Sequence, residues 1–249
     1  HLRRAHRQIR NVLHAARRAG IRRIVYTSSI STIGRIPPGR LGTEADYYWP
    51  GQMCHPYWDC KWIQEQMVLS TRGLEAITLI PSAVFGPGDI KPTTGTVLLM
   101  LARLGTRVTL SGRINVVDVR DVARAHIAAL THGQPGERYL IGGHNVTVRE
   151  ATAAAAQALG LAGPAIVLPH RPVRWLARLI IPALTRMGWT RAGSTVYLLE
   201  SLEAGQWIDC TKAERTLGLR PRPLEKTMSD AVAWFRSHGY FERSLSSFA

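Results

Sequence analysis

Acidic residues are scarce in this sequence: 17 Asp and Glu stand against 32 Lys and Arg, a formal charge of +15 over 249 residues. Cysteine is scarcer still, and three scattered cysteines do not make a disulfide framework. The spacing of Cys54, His55 and Cys60 matches no usual zinc motif, so no metal site is predicted. These deficits exclude a disulfide-rich secreted domain and favour a reducing, cytoplasmic compartment.

The sequence also lacks the segments that anchor or target a chain. It has no run of 18 uncharged apolar residues, and no signal-peptide core follows the arginines of residues 1–10. It lacks an initiator Met as well, which predicts a start inside a longer gene product or processing of the chain. Residues 172–187 place apolar side chains on one helical face, with arginines elsewhere. This pattern predicts a helix that lines or covers a hydrophobic pocket, with membrane-surface contact, and hence membrane association, as the alternative.

The positive charge is concentrated at the start of the chain. Residues 1–23 contain eight arginines and no acid, which is compatible with a nucleic acid or another anionic partner. No basic stripe is interleaved with aromatic stacking residues, however, and the arginines fit the solvated face of a helix. We therefore predict a small-molecule substrate and an anionic cofactor rather than a nucleic-acid partner.

Hydrophobic periodicity alternates between helix and strand, which predicts an α/β fold with a mainly parallel sheet. Residues 34–56, rich in Gly and Pro, are expected to form a long functional loop. Asp121 is expected to cap a helix, and Thr147–Glu150 and Thr211–Glu214 are expected to form capping boxes. The predicted helices are 2–19, 56–72, 96–104, 121–131, 147–160, 172–187, 211–218 and 223–238, and the predicted strands are 23–28, 74–80, 107–110, 114–119 and 138–141.

Tyr57 and Lys61 are four residues apart at the start of a predicted helix, so both project from the same face. A phenol has a pKa near 10, and a cation held close stabilises the phenolate. The spacing alone is a weak signal, because a surface tyrosine beside a solvated lysine shares it. Its context strengthens it: one buried strand runs into Thr27-Ser28-Ser29, and another leads into residues 81–89. In a doubly wound sheet such strand ends face one crevice.

With these motifs the sequence resembles the extended short-chain dehydrogenase/reductases, also called the NAD-dependent epimerase/dehydratase family. Within that family it most resembles the hopanoid-associated sugar epimerase and dihydroflavonol-reductase-like branch. The resemblance implies a Rossmann-type enzyme that uses NAD or NADP. The matching segments follow the family's order and are residues 23–29, 57–61, 81–89, 115–123, 137–143 and 207–222.

The resemblance also implies roles for individual residues. Tyr57 would transfer a proton to or from the substrate oxygen, and Lys61 would lower the pKa of Tyr57 and bind the cofactor ribose. Ser29 would orient the substrate oxygen, with Ser28 as the alternative serine and as a cofactor contact. Lys91 is compatible equally with substrate binding and with a solvated loop. The remaining implied contacts are Tyr57, Pro81, Ser82, Ala83 and Val84 to the cofactor, and Ser82 and Lys91 to the substrate.

One departure from the family concerns the cofactor's pyrophosphate. No G-x-x-G-x-x-G turn stands in this sequence, so we expect an N-terminally truncated chain, a partial doubly wound sheet without its first strands. Residues 1–89 and 114–142 are expected to be the remaining part of the dinucleotide-binding domain. Residues 90–113 and 143–249 are expected to form a smaller, mixed substrate-binding domain.

The leading functional hypothesis is an epimerase or reductase that acts on a nucleotide sugar or a related secondary alcohol or ketone. Reduction of a hydrophobic ketone is an alternative, encouraged by the Trp- and Leu-rich residues 172–189. A catalytically impaired fragment that serves as a binding scaffold is another. Dehydration is disfavoured, because related dehydratases carry Thr-Asp-Glu where this sequence has Ser29-Ile30-Ser31. The family resemblance implies a homodimer.

Overall fold

The computed structural model describes residues 1–186 and 192–242. The helices are α1 Leu2–Arg18, α2 Tyr57–Leu69, α3 Thr96–Leu104, α4 Val119–His132, α5 Val148–Leu159, α6 His170–Arg186, α7 Ala192–Ala204, α8 Thr211–Leu217 and α9 Leu224–Ser237. The strands are β1 Arg23–Thr27, β2 Glu75–Pro81, β3 Ala83–Phe85, β4 Val108–Leu110, β5 Arg113–Asp118, β6 Arg138–Ile141, β7 His144–Thr147 and β8 Ile166–Leu168, and a short 3-10 helix spans Ile30–Ile33. Within the described ranges no helix is long and apolar enough to cross a membrane.

A parallel sheet with strand order β1-β2-β6 forms the centre of the fold. Its middle strand, β2, is buried along residues 76–81, because helices cover both of its faces. Ala76 packs with α1 and α2, while Ile77 and Leu79 belong to the core that includes α4. The predicted α/β fold with a parallel sheet is therefore confirmed.

A second sheet has the strand order β3-β5-β7. β5 runs parallel to β3 and antiparallel to β7. Its core combines Phe85 with residues of α3, α5 and α9, among them Leu98, Ala155 and Phe235. This sheet joins strands from both predicted domains, since β3 and most of β5 lie in the first range and β7 in the second. The division into two domains stays a prediction.

Two predicted helix starts are wrong. Asp118, rather than Asp121, caps α4: its carboxylate accepts the Arg120 N–H at 2.8 Å. β5 runs directly into α4, so the helix begins earlier and Asp121 falls in its first turn, where it pairs with Arg124 and Arg222. Thr211 does not cap α8, because the helix begins at Thr211 itself. The N–H and the hydroxyl of Thr211 both donate to the Asp209 carboxylate instead.

Other local predictions are confirmed. Thr147 and Glu150 form the predicted reciprocal capping box at the start of α5. Residues 34–56 form no helix or strand apart from a single bridge between Gly42 and Ile208. The predicted helix 172–187 corresponds to α6, except that Met187 lies outside the described residues. The sequence pattern did not predict α7.

Candidate active site

The first two turns of α2 carry Tyr57 and Lys61 side by side. The helix starts directly after Pro56, and the Tyr57 N–H donates to the ring of His55 at 3.3 Å. Lys61 Nζ lies over the end of β1, where it donates to the Thr27 carbonyl at 3.2 Å and sits 5.6 Å from the centre of the Tyr26 ring. Burial lowers the pKa of Lys61, and the charge of Glu65 opposes that shift. The helix thus aims its lysine at the carboxyl end of the central sheet.

Ser29 meets Tyr57 at this sheet edge. Ser29 is buried, caps the 3-10 helix that follows, and accepts the Ser31 N–H at 3.3 Å. Tyr57 exposes 36% of its surface. Burial of its hydroxyl end raises the pKa of Tyr57, while a hydrogen bond with Ser29 lowers it. The net shift is upward and Lys61 is not among its causes, so the expected lowering of the Tyr57 pKa by Lys61 is not found. The phenol is protonated at neutral pH and can give a proton to an oxygen beside Ser29.

Ser28 points the other way, into the interior. Its hydroxyl donates to the carboxylate of Glu65, which lies one turn beyond Lys61 on α2. Thr32 donates to the same carboxylate at 2.8 Å, and Arg138 of β6 pairs with it at 2.9 Å. With its hydroxyl committed to Glu65 and its N–H to the Leu79 carbonyl, Ser28 offers a ligand only its backbone carbonyl. A cofactor contact by Ser28 stays a prediction.

Glu65 and Arg138 form a hub that fixes the parts of this edge relative to one another. Both side chains are almost fully buried. Besides Glu65, the Arg138 guanidinium donates to the carbonyls of Glu44 at 2.6 Å and Asp46 at 3.0 Å, and it stacks on the Tyr47 ring at 4.0 Å. The hub therefore links α2, the end of β1 and the long loop 34–56 without touching Tyr57.

Residues 81–84, at the end of β2 and the start of β3, form a further side of this sheet edge. Pro81 and Ser82 are buried, while Ala83 and Val84 are half-buried. The Ser82 N–H donates to the Ile141 carbonyl at 3.1 Å. The buried Ser82 hydroxyl has no hydrogen-bond partner among the described residues. An unsatisfied buried hydroxyl at this edge fits a polar ligand group.

Lys91 is not brought into this group. It is exposed, in the loop between β3 and α3, and it forms no hydrogen bond or ion pair within the described residues. Its predicted substrate contact stays a prediction.

Tyr197 of α7 is a site residue that sequence reasoning missed. Its ring meets the Tyr57 ring edge-on, with centroids 5.0 Å apart. Burial, followed by the proximity of Tyr57, raises the pKa of Tyr197. Glu200, one turn later, accepts the N–H groups of Cys54 at 2.7 Å and His55 at 3.1 Å. The sequence offered only a weak indication that this region contributes to the site: Tyr197 stands three residues before Glu200 in an otherwise apolar stretch.

The groups around Tyr57 are thus aromatic or hydroxylated. The His55 ring lies 5.7 Å from that of Tyr197, and the buried Trp58 ring 6.0 Å from it. Burial lowers the pKa of His55, against the opposing charge of Glu200, so His55 adds no positive charge at neutral pH. The site combines the protonated phenol of Tyr57, the hydroxyl of Ser29 and the ammonium of Lys61. Aromatic rings lie beside these groups. The site can exchange a proton with an oxygen on an apolar ring.

Comparison with known proteins finds similar sequences. The sequence model of the NAD dependent epimerase/dehydratase family matches residues 3–142. A putative dihydroflavonol 4-reductase of Synechocystis sp. is 30% identical over 241 residues, which cover 93% of this chain and 69% of the relative. Sterol demethylase protein B of Methylococcus capsulatus is 31% identical over 237 residues, 92% of this chain and 71% of the relative.

A solved structure extends the likeness to the fold. The crystal structure of a nucleoside-diphosphate-sugar epimerase from Pseudomonas aeruginosa superimposes with a TM-score of 0.78 at 31% identity. The match covers 96% of this chain and 75% of the other. The Rossmann-type fold predicted from the sequence is confirmed by this likeness and by the parallel sheet.

Proposed function

The chain belongs to the NAD-dependent epimerase/dehydratase family, and within it we propose an oxidoreductase that interconverts a hydrophobic secondary alcohol and its ketone. The observation that carries the proposal is the edge-on contact of the Tyr57 and Tyr197 rings. Ser29 lies close enough to both hydroxyls to oppose the rise in their pKa values. Two relatives are named for flavonoid and sterol chemistry, which supports an apolar ring as the substrate class.

Tyr57 handles the proton in this reaction. Its raised pKa keeps the phenol protonated, as a general acid in ketone reduction must be. Ser29 donates to the carbonyl oxygen and holds it within reach of Tyr57. Lys61, one turn further along α2, stabilises the phenolate that remains once the proton has gone. In the direction of alcohol oxidation the same groups act in reverse.

The residues present fit the nicotinamide half of the family's cofactor. The unsatisfied Ser82 hydroxyl and the Lys61 ammonium lie at the carboxyl ends of β2 and β1, where ligands of such sheets bind. Residues 81–84 would pack against the ring, and Lys61 would hold the ribose. When bound, NAD or NADP supplies or accepts the hydride.

The aromatic rings of the site favour an apolar ring over a sugar diphosphate. The rings of Tyr57 and His55 both lie beside that of Tyr197, and flat fused rings pack well against aromatic side chains. The Tyr197 hydroxyl lies close enough to Ser29 for the serine to oppose the rise in the Tyr197 pKa, so we assign Tyr197 a positioning role beside Ser29.

Turnover of NADH and NADPH with a panel of hydroxysteroids, ketosteroids and dihydroflavonols tests the proposal. We expect Tyr57→Phe to lower kcat by about 10²–10⁴-fold, since general acid catalysis contributes that much. Tyr197→Phe removes the hydroxyl beside Ser29, and since one hydrogen bond is worth roughly 1 kcal/mol, it should lower kcat/KM by about 3- to 10-fold. Tyr47→Phe is the matched control, because it removes an exposed tyrosine hydroxyl away from Ser29 and leaves the ring in place. Equal activity of Tyr57→Phe and Tyr47→Phe would contradict the assignment.

Epimerisation of a nucleotide sugar is the second candidate, favoured by the likeness to the Pseudomonas aeruginosa epimerase. It predicts conversion of a nucleoside-diphosphate sugar with no net consumption of NADH and no turnover of the ketone panel. A folded chain that binds NAD(H) or NADP(H) in calorimetric titration yet converts neither substrate class would favour the binding-scaffold alternative.

A further inference from the structure

Helix α6 has two apolar faces, and the described residues cover only one of them. Val173, Ala177 and Ile181 face inward, toward α7. The opposite face carries Trp175, which is 67% exposed, and Leu179, which is 59% exposed, together with the exposed Leu176 and Ile180. A surface helix normally turns polar side chains to water. This outward face therefore calls for a partner.

Polar contacts on the inward side fix the rotation of α6 about its axis and so determine which face is exposed. Arg174 reaches Glu203 of α7 at 3.3 Å, and the ring of His170 lies 3.8 Å from the same carboxylate. The His170 N–H donates to Ser111 at 3.0 Å, which holds the start of the helix against the end of β4. Turning the apolar face inward would break these contacts.

The segment before α6 extends the apolar surface. Ile166, Val167 and Leu168 form β8, and all three are exposed. β8 pairs with β4 and leads through Pro169 into α6. Exposed apolar side chains concentrated in one stretch of the chain are typical of an interaction site.

The charge around this surface indicates the partner. In sequence, the stretch between Glu150 and Glu200 contains five arginines and no acidic residue, and one of them, Arg174, pairs with Glu203 on the inward side of α6. Arg171, at the start of α6, is exposed at the margin of the apolar face. An anionic lipid surface offers a flat apolar layer beneath negative headgroups, which matches an exposed apolar helix face with an arginine at its margin.

We infer that the outward face of α6 docks onto an anionic membrane surface. The helix lies parallel to that surface, with Trp175 and Leu179 at the level of the headgroups and Arg171 on the phosphates. The inference does not depend on the proposed reaction, because it concerns attachment and not turnover.

Co-sedimentation of the full chain with vesicles tests the inference. We expect binding to vesicles of phosphatidylcholine with about 30% phosphatidylglycerol, weaker binding to pure phosphatidylcholine, and loss of binding as salt screens the headgroups. The double variant Trp175→Glu/Leu179→Glu should lower the vesicle partition coefficient by at least about tenfold, since it puts two carboxylates on the docking face.

A matched control separates position from composition. Ile127 and Leu130 of α4 are 69% and 50% exposed, so Ile127→Glu/Leu130→Glu adds the same charge on another helix. This control should bind vesicles like the unchanged chain. Equal loss in both double variants, or no binding by the unchanged chain, overturns the inference. A dimer that Trp175→Glu/Leu179→Glu dissociates, measured by sedimentation velocity without lipid, would assign the face to a second copy and also overturn it.

Discussion

Around Glu65 this molecule buries charge, whereas along α6 it exposes apolar side chains. The Glu65–Arg138 hub lies under the carboxyl edge of the central sheet, and each of its polar neighbours depends on the others. On α6 the polar contacts serve the inward side, and the outward side meets no described neighbour that covers it. The first arrangement holds a site rigid; the second leaves a surface available. Substitutions in the hub should therefore lower the stability of the fold, whereas substitutions on the outward face of α6 should not.

The largest expected effect comes from opening the hub. Glu65→Leu leaves Arg138 buried without its partner, and breaking a buried pair in this way costs about 3–5 kcal/mol of unfolding free energy. Urea denaturation followed by tryptophan fluorescence measures it. The control is Glu75→Leu, which breaks the half-exposed Arg23–Glu75 pair and should cost no more than about 1 kcal/mol.

A double variant sharpens this test. Glu65→Leu/Arg138→Met removes both charges, so much of the loss should be recovered. If Glu65→Leu is no more damaging than Glu75→Leu, the hub is not what holds the sheet edge together.

A smaller effect, dependent on pH, is expected at Asp118. Burial alone would raise the pKa of Asp118, but hydrogen bonds from Arg120 and Thr227 outweigh it and leave the pKa below its usual value. A carboxyl with a lowered pKa in the folded state adds stability above its unfolded pKa, and that stability is lost as pH falls through the folded value. Asp118→Asn should therefore cost roughly 2 kcal/mol at pH 7 and much less near pH 2. Unfolding curves at both pH values measure this difference, and a cost independent of pH would show that the charge of Asp118 is not responsible.

The smallest effect is expected on the outward face of α6. Leu179→Ser changes an exposed side chain and should alter the free energy of unfolding by less than about 0.5 kcal/mol. Leu199→Ala on the neighbouring α7 is the buried comparison and should cost about 2–5 kcal/mol. Thermal unfolding of the two variants decides it. A large loss from Leu179→Ser would mean that α6 packs against more of the molecule than its exposure indicates.

Local features of this protein were readable from the sequence because they depend on neighbouring residues. The periodicity of 23–28 and 74–80 predicted the parallel strands, and Thr147–Glu150 predicted its capping box. The family segments predicted the fold and placed Tyr57, Lys61 and Ser29 at one sheet edge, where the structure brings them together. The capping predictions for Asp121 and Thr211 failed, since each depended on where a strand or helix ends in three dimensions.

The tertiary structure alone decided which groups complete the site. Tyr197 lies 140 residues after Tyr57, and no local pattern relates the two, yet packing of α7 brings their rings together. Packing likewise distinguishes the two adjacent serines. The Ser28 hydroxyl donates to the buried carboxylate of Glu65, whereas Ser29 lies beside the Tyr57 hydroxyl. Residue type and spacing determined the chemistry that α2 can offer. The partners of that chemistry, and the side of α6 that faces outward, follow from contacts between residues far apart in the chain, which a reading of local sequence does not contain.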